Sequence, residues 1–294
     1  MLIIGFALGI LSALFFTVYI LPQKLARADT TTYLWMLGVG VMVTALVPYV
    51  IVGCPHAATG LERGAGLLCG VVWGIGTLCF AGSVDRIGLA LAAPFKNTTG
   101  VVGTLVGLIL LQEWKTTDPI LCTIGSILIV AAAIVIGMTG KTDAPKRSAV
   151  GVAMALGAAV CYSSYLYPMK LVVARIGYWE FIPWMAAGIL LTATFAVLGR
   201  PGGLRDFVSY APRVYLFSLL GGVAWTLALI CLSASMVMVD LSVAWSLAQL
   251  NTVPAVFLGI LVFREIRFRD HKAKIIIGLL AATIGTVLLG MAKR

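Results

Sequence analysis

Residues 5–25 read GFALGILSALFFTVYILPQKL, and residues 151–171 read GVAMALGAAVCYSSYLYPMKL. The residues that the two segments share in register, 146 positions apart, include Tyr19/Tyr165, Pro22/Pro168, Lys24/Lys170 and Leu25/Leu171. Later parts of the chain match at an offset of 152: Gly70/Gly222, Trp73/Trp225, Gly107/Gly259 and Glu113/Glu265. These matches indicate that one half of the chain is a duplicate of the other.

The composition is that of a polytopic membrane protein. Hydrophobic residues make up 61% of the chain and charged residues 11%, and the mean hydropathy is +1.06. Such values lie far outside the soluble range. Ten apolar stretches are about 20 residues long, the length that a helix needs to cross ~30 Å of hydrocarbon. They run approximately from 2 to 21, 33 to 52, 62 to 82, 87 to 111, 119 to 138, 149 to 171, 179 to 198, 214 to 235, 240 to 263 and 273 to 291. The expected surroundings are therefore a lipid bilayer.

The ten stretches divide five and five around a polar linker at 141–147. We predict an all-α membrane protein with ten transmembrane helices, in which residues 1–140 form one five-helix repeat and residues 148–294 a second. Because each repeat crosses the membrane an odd number of times, the second is inverted, which is typical of many secondary transporters. The first stretch has no basic region before it and no small-residue cleavage site after it. We therefore interpret it as a membrane helix and not as a signal peptide.

The net charge of +10 does not indicate a nucleic-acid-binding protein, because the basic residues gather in loops. Sorting them by alternate loops places 14 on one side of the membrane and 6 on the other. By the positive-inside rule this bias predicts both termini outside the cytoplasm. The expected location is a prokaryotic inner membrane.

Catalytic and metal-binding motifs are not visible in the sequence. The six cysteines lie mostly inside apolar segments and never as a CxxC pair, so we interpret them as packing residues. No catalytic triad, HExxH helix or phosphate-binding glycine loop is recognisable. We predict a protein that is not an enzyme and holds no metal or cofactor.

Lys96 is the most unusual residue of the apolar stretches. It lies about ten residues into the stretch 87–111, which places it ~15 Å from the start of a regular helix. A lysine at mid-membrane costs roughly 2.5–3.5 kcal/mol, so it is expected to face a wet cavity or a counter-ion. The carboxylates lie at or near helix ends, and none is an obvious partner. We expect Lys96 to meet substrate or a coupling ion; pairing with an internal acid or with carbonyls is the alternative.

Polar side chains recur at corresponding depths. Asn97 corresponds to Gln249 at the offset of 152. Four residues of the predicted ninth helix share one face by helical spacing, and we expect that face to line a cavity: Ser242, Trp245, Ser246 and Gln249. Asn251 is turned about 200° from Gln249 and is expected to bond between helices instead. Interhelical hydrogen bonding is the alternative for each polar residue.

Aromatic side chains also recur at mid-membrane. Trp73 and Trp225 lie midway through the third and eighth stretches, whereas belt tryptophans lie at the interface. Their ring faces are able to stack on the C–H face of a sugar, with packing as the alternative. Tyr19, Tyr162 and Tyr165 are further candidates of the same kind, or members of the interfacial belt.

Helix breaks and helix ends carry two further expectations. Four prolines are expected to bend or end helices: Pro22, Pro94, Pro168 and Pro254. Glu113 and Glu265 close the fourth and ninth stretches, where the negative helix terminus opposes an acid. A neighbouring basic residue is expected to hold each of them, and we interpret both as gate or structural residues.

Ten helices in two inverted repeats, with an acid closing helices four and nine, resemble the drug/metabolite transporter superfamily. Within it, the stretch Gly70-Val71-Val72-Trp73-Gly74-Ile75-Gly76, followed by Gly88, Pro94, Gly107 and Glu113-Trp114, resembles the glucose/ribose porter and L-rhamnose/proton symporter families. The resemblance covers nearly the whole chain. It implies a sugar carrier that works by alternating access, with the substrate between the two halves.

One departure leaves the solute open. The bacterial glucose-uptake pattern has small hydroxyl residues just after the helix-four proline, where this chain has Phe95-Lys96-Asn97. A neutral-sugar symporter driven by H⁺ or Na⁺ fits the resemblance, whereas an organic-anion or sugar-phosphate exchanger fits the lysine. A metabolite exporter of the same superfamily is a further alternative. A channel or a non-transporting interaction protein is disfavoured by the duplicated polar midplane.

Overall fold

The computed structural model describes residues 1–19, 29–52, 58–87, 92, 95–137, 148–251, 253–254, 257–258 and 268–293. Apart from one isolated antiparallel bridge between Thr117 and Lys293, the regular structure of this part of the chain is helical. Seven helical segments are long and apolar enough to cross a membrane: Thr30–Ile51, Gly60–Ile87, Pro119–Ile136, Ala149–Ile176, Tyr178–Gly199, Pro212–Val239 and His271–Ala292. Shorter apolar helices cover Leu2–Val18 and Phe95–Leu110. The protein is thus an all-helical membrane protein.

The helices follow the predicted stretches in order. They are α1 (Leu2–Val18), α2 (Thr30–Val52), α3 (Gly60–Ile87), α4 (Thr99–Leu105), α5 (Pro119–Gly137), α6 (Ala149–Ser164), α7 (Leu166–Ile176), α8 (Tyr178–Gly199), α9 (Gly203–Phe207), α10 (Pro212–Val239), α11 (Leu241–Ala248) and α12 (Phe268–Ala292). A π-helical turn, Val106–Leu110, continues α4, and a 3₁₀ turn, Gln249–Asn251, continues α11. Each of the ten predicted stretches therefore contains helix, but the fourth and ninth are not regular helices throughout.

The fourth stretch is described only in part, because residues 88–91, 93 and 94 lie outside the described residues. Ala92 is helical, and an apolar helix covers Phe95–Leu110, which includes Lys96. The depth of Lys96 inside the fourth membrane helix therefore stays a prediction. The expected break at Pro94 lies outside the described residues, as do Pro22 and the linker at 141–147.

The break at Pro168 is confirmed. α6 ends at Ser164, Tyr165 forms a turn, and α7 starts at Leu166. Proline has no N–H to donate to the carbonyl four residues earlier, which here belongs to Ser164. The kink therefore separates the two parts of the segment Ala149–Ile176.

Asp29 starts α2 and ties it to the end of α8. Its Oδ1 accepts the N–H groups of Thr31 (2.9 Å) and Thr32 (3.1 Å), and the Arg200 guanidinium forms an ion pair with the same oxygen. Burial raises the pKa of the Asp29 carboxyl, but the hydrogen bonds from Thr31, Thr32 and Arg200 outweigh burial and lower the pKa below its ordinary value.

Packing between helices follows the duplication. By the sequence offsets, α1, α2, α3 and α5 correspond to α6, α8, α10 and α12. α1 packs against α10, and their counterparts α6 and α3 also pack against each other. α2 packs against α10, as α8 does against α3, while α2 contacts α8 and α5 contacts α12. Exchanging each helix for its counterpart in the other half therefore leaves this set of contacts unchanged.

The same exchange relates individual hydrogen bonds. Ser83 Oγ donates to the Gly151 carbonyl over 2.7 Å, and Ser235 Oγ donates to the Gly5 carbonyl over 2.7 Å. The two serines are 152 residues apart and the two glycines 146 apart, which are the offsets found in the sequence. The two halves therefore repeat side-chain contacts as well as helices.

Two helix crossings depend on equivalent glycines. A Cβ atom on Gly70 would overlap the carbonyl oxygen of Met185, and one on Gly222 would overlap that of Leu37. α3 therefore crosses α8 with backbones in contact, and α10 crosses α2 in the same manner. Small residues permit such close approach between membrane helices.

Candidate functional site

A cavity lies where α1, α3, α6, α10 and α11 meet the start of the fourth segment. Its empty volume, counted together with the opening to solvent, is about 430 Å³. Twelve residues line it: Phe16, Tyr19, Trp73, Lys96, Thr99, Tyr162, Tyr165, Trp225, Trp245, Ala248, Gln249 and Asn251.

The structure brings together most of the candidate residues that the sequence singles out. Those that line the cavity are Tyr19, Trp73, Lys96, Tyr162, Tyr165, Trp225, Trp245 and Gln249. Asn97 is not among the lining residues; it is buried, and its Oδ1 accepts a hydrogen bond from Lys96 Nζ over 3.3 Å. Residues that are distant in the chain thus converge on one site.

The two central tryptophans lie against each other. Their ring centroids are 4.8 Å apart, and Trp73 is also 6.2 Å from the ring of Tyr162. Trp73 is 4% exposed and Trp225 is 1% exposed. The same two rings therefore pack against each other and line the cavity, and only a small part of each ring is accessible.

Lys96 carries the charge of the cavity. Besides Asn97, its Nζ lies 5.8 Å from the ring centroid of Tyr162 and 6.0 Å from that of Phe80. Among the side chains that the structure describes, no carboxylate forms an ion pair with Lys96. An ammonium group has three donors, and Asn97 uses one. The remaining donors are available to a ligand in the cavity.

The walls of the cavity are largely duplicated. Ten of the twelve lining residues form pairs at the offsets of 146 or 152: Phe16/Tyr162, Tyr19/Tyr165, Trp73/Trp225, Lys96/Ala248 and Thr99/Asn251. In one of these pairs, Lys96/Ala248, a charged side chain corresponds to a neutral one. The walls of the cavity are therefore nearly two-fold symmetric, apart from the cation that Lys96 adds to one side.

Two equivalent hydrogen bonds hold the walls. Thr17 Oγ1 donates to the Asn251 carbonyl over 2.8 Å, and Ser163 Oγ donates to the Thr99 carbonyl over 3.2 Å. Asn251 lines the cavity together with Gln249, although α-helical spacing places the two residues on different faces. The α-helix ends at Ala248, and the angle between side chains in a regular α-helix does not apply to the 3₁₀ turn that follows.

The predicted polar face of the ninth helix is divided. Trp245 and Gln249 line the cavity, whereas Ser242 and Ser246 do not. Every residue of α11 is buried, so both sides of this helix are packed against protein. The indole N–H of Trp245 donates to the Thr99 carbonyl over 2.9 Å, which fixes the ring at the cavity wall.

A charged cluster joins the two halves at the N-terminal end of α11. Glu113 forms an ion pair with Lys170, and its carboxylate accepts the N–H groups of Leu241 (2.8 Å) and Ser242 (2.9 Å). The expected basic neighbour of Glu113 is thus confirmed. The positive N-terminal end of α11 stabilises the same carboxylate. Glu265 lies outside the described residues.

Asp240 extends this cluster toward α12. It forms an ion pair with Lys293 and accepts hydrogen bonds from Thr116 (3.0 Å) and Thr117 (2.9 Å). We call Glu113, Lys170, Asp240 and Lys293 the end cluster. It connects the loop after the fourth segment with α7, α11 and α12.

Phe16 and Ala248 are among the lining residues that the sequence does not single out. Phe16 lies 146 residues before Tyr162, so applying the offset to every aromatic candidate would have found it. Ala248 has no chemical signal of its own, and only its correspondence with Lys96 identifies it.

Comparison with known proteins agrees with this arrangement. A family described as sugar transport protein matches residues 8–292. Glucose uptake protein GlcU of Bacillus subtilis is 25% identical over 236 residues, which cover 78% of each chain. A protein of Priestia megaterium named probable glucose uptake protein GlcU is 26% identical over 241 residues, covering 80% of this chain and 81% of that protein.

The fold also occurs among solved structures. One crystal structure of a protein superimposes with a TM-score of 0.78 over 97% of this chain and 98% of the other, at 16% sequence identity. That likeness concerns the fold alone. Since the family match extends over almost the entire sequence, the chain belongs to the sugar transport protein family.

Proposed function

We propose that the protein is a secondary active carrier, and not an enzyme, that moves a sugar or related small polar metabolite across the membrane by alternating access. The observation that carries this proposal is the cavity whose walls come from equivalent positions of both halves. Relatives named for glucose uptake support a sugar as the solute. A site between two inverted repeats near mid-membrane is the usual design of such carriers.

The proposed architecture is ten crossings in two inverted five-helix repeats, residues 1–140 and 148–294. The exchange of helix contacts supports it, as do the paired bonds of Ser83 and Ser235. Five crossings per repeat place equivalent helices in opposite directions through the bilayer. The two repeats are then able to rock against each other around a fixed central site.

In the bound state, aromatic and polar groups have separate roles. Ring faces contact the C–H surface of the solute, while directional donors and acceptors bind its hydroxyl groups. The aromatic contacts are assigned to Tyr19, Trp73, Tyr165, Trp225 and Trp245. The polar contacts are assigned to Lys96 and Gln249, with Asn97 orienting the lysine.

Access from one side requires the end cluster to open. Glu113 and Lys170 belong to different repeats. Their ion pair holds the two repeats together at the end of the helix bundle where α11 begins. Because Glu113 is only 5% exposed, separating it from Lys170 also requires hydration of a buried carboxylate. We assign the end cluster to the closed state of this side.

Orientation and energy source complete the proposal. The 14-to-6 distribution of basic residues favours both termini outside the cytoplasm of a prokaryotic inner membrane. The end cluster then faces the outside. Uptake against a gradient requires a coupling ion, for which H⁺ and Na⁺ are the candidates.

The experiment that tests this function is a thermal-shift screen of purified protein with neutral sugars, sugar acids and sugar phosphates. A solute that binds only the folded protein raises its melting temperature. We expect saturable stabilisation by a neutral monosaccharide, retained in Lys115→Met, which removes an exposed lysine outside the cavity. Stabilisation by anions alone would favour the exchanger alternative. Stabilisation by hydrophobic cations, with no response to any sugar, would contradict the proposal.

A further inference from the structure

The connection between α8 and α10 forms a structured segment at one end of the helix bundle. Residues 200–213 contain the short helix α9 and the start of α10. The Arg200 guanidinium forms an ion pair with Asp29, and the Tyr210 hydroxyl donates to Oδ2 of the same carboxylate over 2.8 Å. We call residues 200–213 the surface segment. These two contacts fix it to the start of α2.

The surface segment is an addition to the duplicated fold. In the first half, residues 53–59 connect α2 with α3; in the second half, residues 200–211 connect the counterparts α8 and α10. The second connection is longer, and α9 has no counterpart among the described residues of the first half. The packing that the two halves share therefore does not explain α9.

Aromatic rings indicate the level of the surface segment in the membrane. The ring of Phe207 lies 5.1 Å from that of Trp35 and 6.0 Å from that of Tyr215, and the rings of Tyr210 and Tyr215 are 6.4 Å apart. Tryptophan and tyrosine are enriched at membrane–water interfaces, because each combines an apolar ring with a polar group. α8 and α10, which flank α9, are both long and apolar enough to cross a membrane. We therefore expect the surface segment at the level of the lipid headgroups.

The outer face of the surface segment combines apolar and basic side chains. Leu204 is 61% exposed and Val208 is 70% exposed, and their spacing of four places them on one face of the helical turn. Arg205 and Arg213 are also exposed, and neither forms an ion pair or a side-chain hydrogen bond with a described residue. Two guanidinium groups beside two apolar side chains are therefore free to bind a ligand.

We propose that the surface segment binds an anionic phospholipid. The phosphate contacts Arg205 and Arg213, and the two apolar side chains contact the acyl chains. Guanidinium groups bind phosphate oxygens through paired hydrogen bonds, and apolar side chains of an interfacial helix enter the boundary between headgroups and acyl chains. Asp206 forms no ion pair with either arginine. The excess of positive charge favours an anionic headgroup over a zwitterionic one.

The predicted topology places this lipid in the cytoplasmic leaflet. Arg200, Arg205 and Arg213 belong to the side that holds 14 of the basic residues. Anionic lipids give the surface of that leaflet a negative potential, which attracts basic segments near it. Binding of the lipid requires neither sugar nor transport, so this proposal does not rest on the proposed function.

Purified full-length protein in a neutral detergent provides the test. Phosphatidylglycerol or phosphatidylcholine with the same acyl chains is added at low salt, without sugar, while thermal unfolding is recorded. We expect phosphatidylglycerol to raise the melting temperature saturably and more than phosphatidylcholine, because a ligand of the folded state stabilises it. Free glycerol phosphate at the same concentration is expected to have no effect, since it lacks acyl chains.

The double variant Arg205→Gln with Arg213→Gln removes the phosphate contacts. Both side chains are exposed, so we expect the variant to fold and to bind phosphatidylglycerol about fivefold more weakly for each arginine removed. The matched control is Arg63→Gln with Lys115→Gln, which removes two exposed basic residues on the other side of the predicted topology. We expect this control to keep the response to phosphatidylglycerol. Leu204→Ser with Val208→Ser keeps both arginines and is expected to weaken binding through the lost acyl-chain contacts.

Three results would overturn the proposed lipid site. The first is equal stabilisation of the wild-type protein by phosphatidylglycerol and phosphatidylcholine. The second is an equal loss of response in the arginine variant and in the control, which would indicate an effect of net charge alone. The third is equal stabilisation by free glycerol phosphate, which would identify a soluble phosphate and not a lipid as the ligand. Each of these results leaves the carrier function intact, because sugar is absent from every measurement.

Discussion

Lys96 and Ala248 occupy equivalent positions of the two halves and line the same cavity. The lysine gives one wall a cation with free hydrogen-bond donors, whereas the alanine gives the opposite wall a methyl group. The walls of this site are otherwise paired, so the cation on the Lys96 side makes the two sides of the cavity chemically different. Such a site binds an asymmetric solute in one preferred orientation.

The first prediction concerns this lysine. Lys96→Met removes a cation that forms no ion pair with the described side chains, so we expect it to abolish sugar transport while the protein still folds. Lys96→Gln keeps a hydrogen-bond donor and is expected to retain part of neutral-sugar binding. Uptake into proteoliposomes and melting temperature are measured together.

Lys115→Met serves as the control, because it removes an exposed lysine. Normal transport by Lys96→Met would exclude Lys96 from the site. A strong preference for acidic sugars that disappears in Lys96→Gln would instead assign an anionic solute. Unfolding of Lys96→Met would show that Lys96 has a structural role.

The central tryptophans give a second prediction. Trp73→Ala and Trp225→Ala are each expected to weaken sugar binding by about 1 kcal/mol or more, roughly fivefold in affinity. Because both rings are buried, alanine also leaves a void that costs stability, about 3–5 kcal/mol for a tryptophan. Trp73→Phe keeps a ring and separates these effects. Isothermal titration of the sugar measures the affinity.

Trp184→Ala is the matched control for these variants. Trp184 contacts Arg63, whose guanidinium lies 5.4 Å from its ring, and does not line the cavity. We expect unchanged sugar affinity in this variant. Equal losses of affinity in Trp184→Ala and Trp73→Ala would indicate a general loss of structure and would contradict a stacking role.

A third prediction concerns the helix crossings. Gly70→Ala and Gly222→Ala each place a methyl group against a backbone carbonyl, and we expect each to destabilise the protein by about 1–3 kcal/mol. Gly157→Ala is the control, because its Cβ would meet no atom within 4 Å. Its higher helix propensity makes that change neutral or stabilising by up to about 1 kcal/mol. Thermal unfolding in detergent ranks the three variants, and equal melting temperatures would refute the close crossings.

The end cluster provides a fourth prediction. Glu113→Gln and Lys170→Met each break the ion pair, and both are expected to lower the melting temperature and to open this side of the cavity to thiol reagents at an introduced Thr99→Cys. The charge-swapped pair Glu113→Lys with Lys170→Glu is not expected to restore the wild-type state. A lysine at 113 cannot accept the N–H groups of Leu241 and Ser242. Full recovery by the swapped pair would show that the ion pair alone matters.

Much of the candidate site was predictable because duplication leaves a signal that one sequence contains. The offsets place Trp73 with Trp225, and a buried lysine is expensive enough in a membrane to indicate a polar cavity. Periodicity alone was less informative. Ser246 and Gln249 share a helical face in sequence, yet one binds hydroxyls of α4 and α5 and the other lines the cavity.

The remaining features depend on breaks in regular helix and on contacts distant in sequence. The turn at Gln249–Asn251 brings Asn251 to the cavity, although α-helical geometry places it elsewhere. The partner of Glu113 is Lys170, 57 residues later in the chain, and no local pattern specifies that pairing. Such contacts arise only when the two halves pack together.

Counterflow in proteoliposomes tests the central claim most directly. Vesicles that contain the purified protein are loaded with unlabelled glucose and diluted into a trace of labelled glucose, with Lys96→Met vesicles and protein-free vesicles as controls. A carrier that alternates around the paired cavity predicts transient accumulation of label above the protein-free level in wild type, and none in Lys96→Met. Failure of glucose and of every other monosaccharide to produce counterflow, while a hydrophobic cation does, would contradict the account.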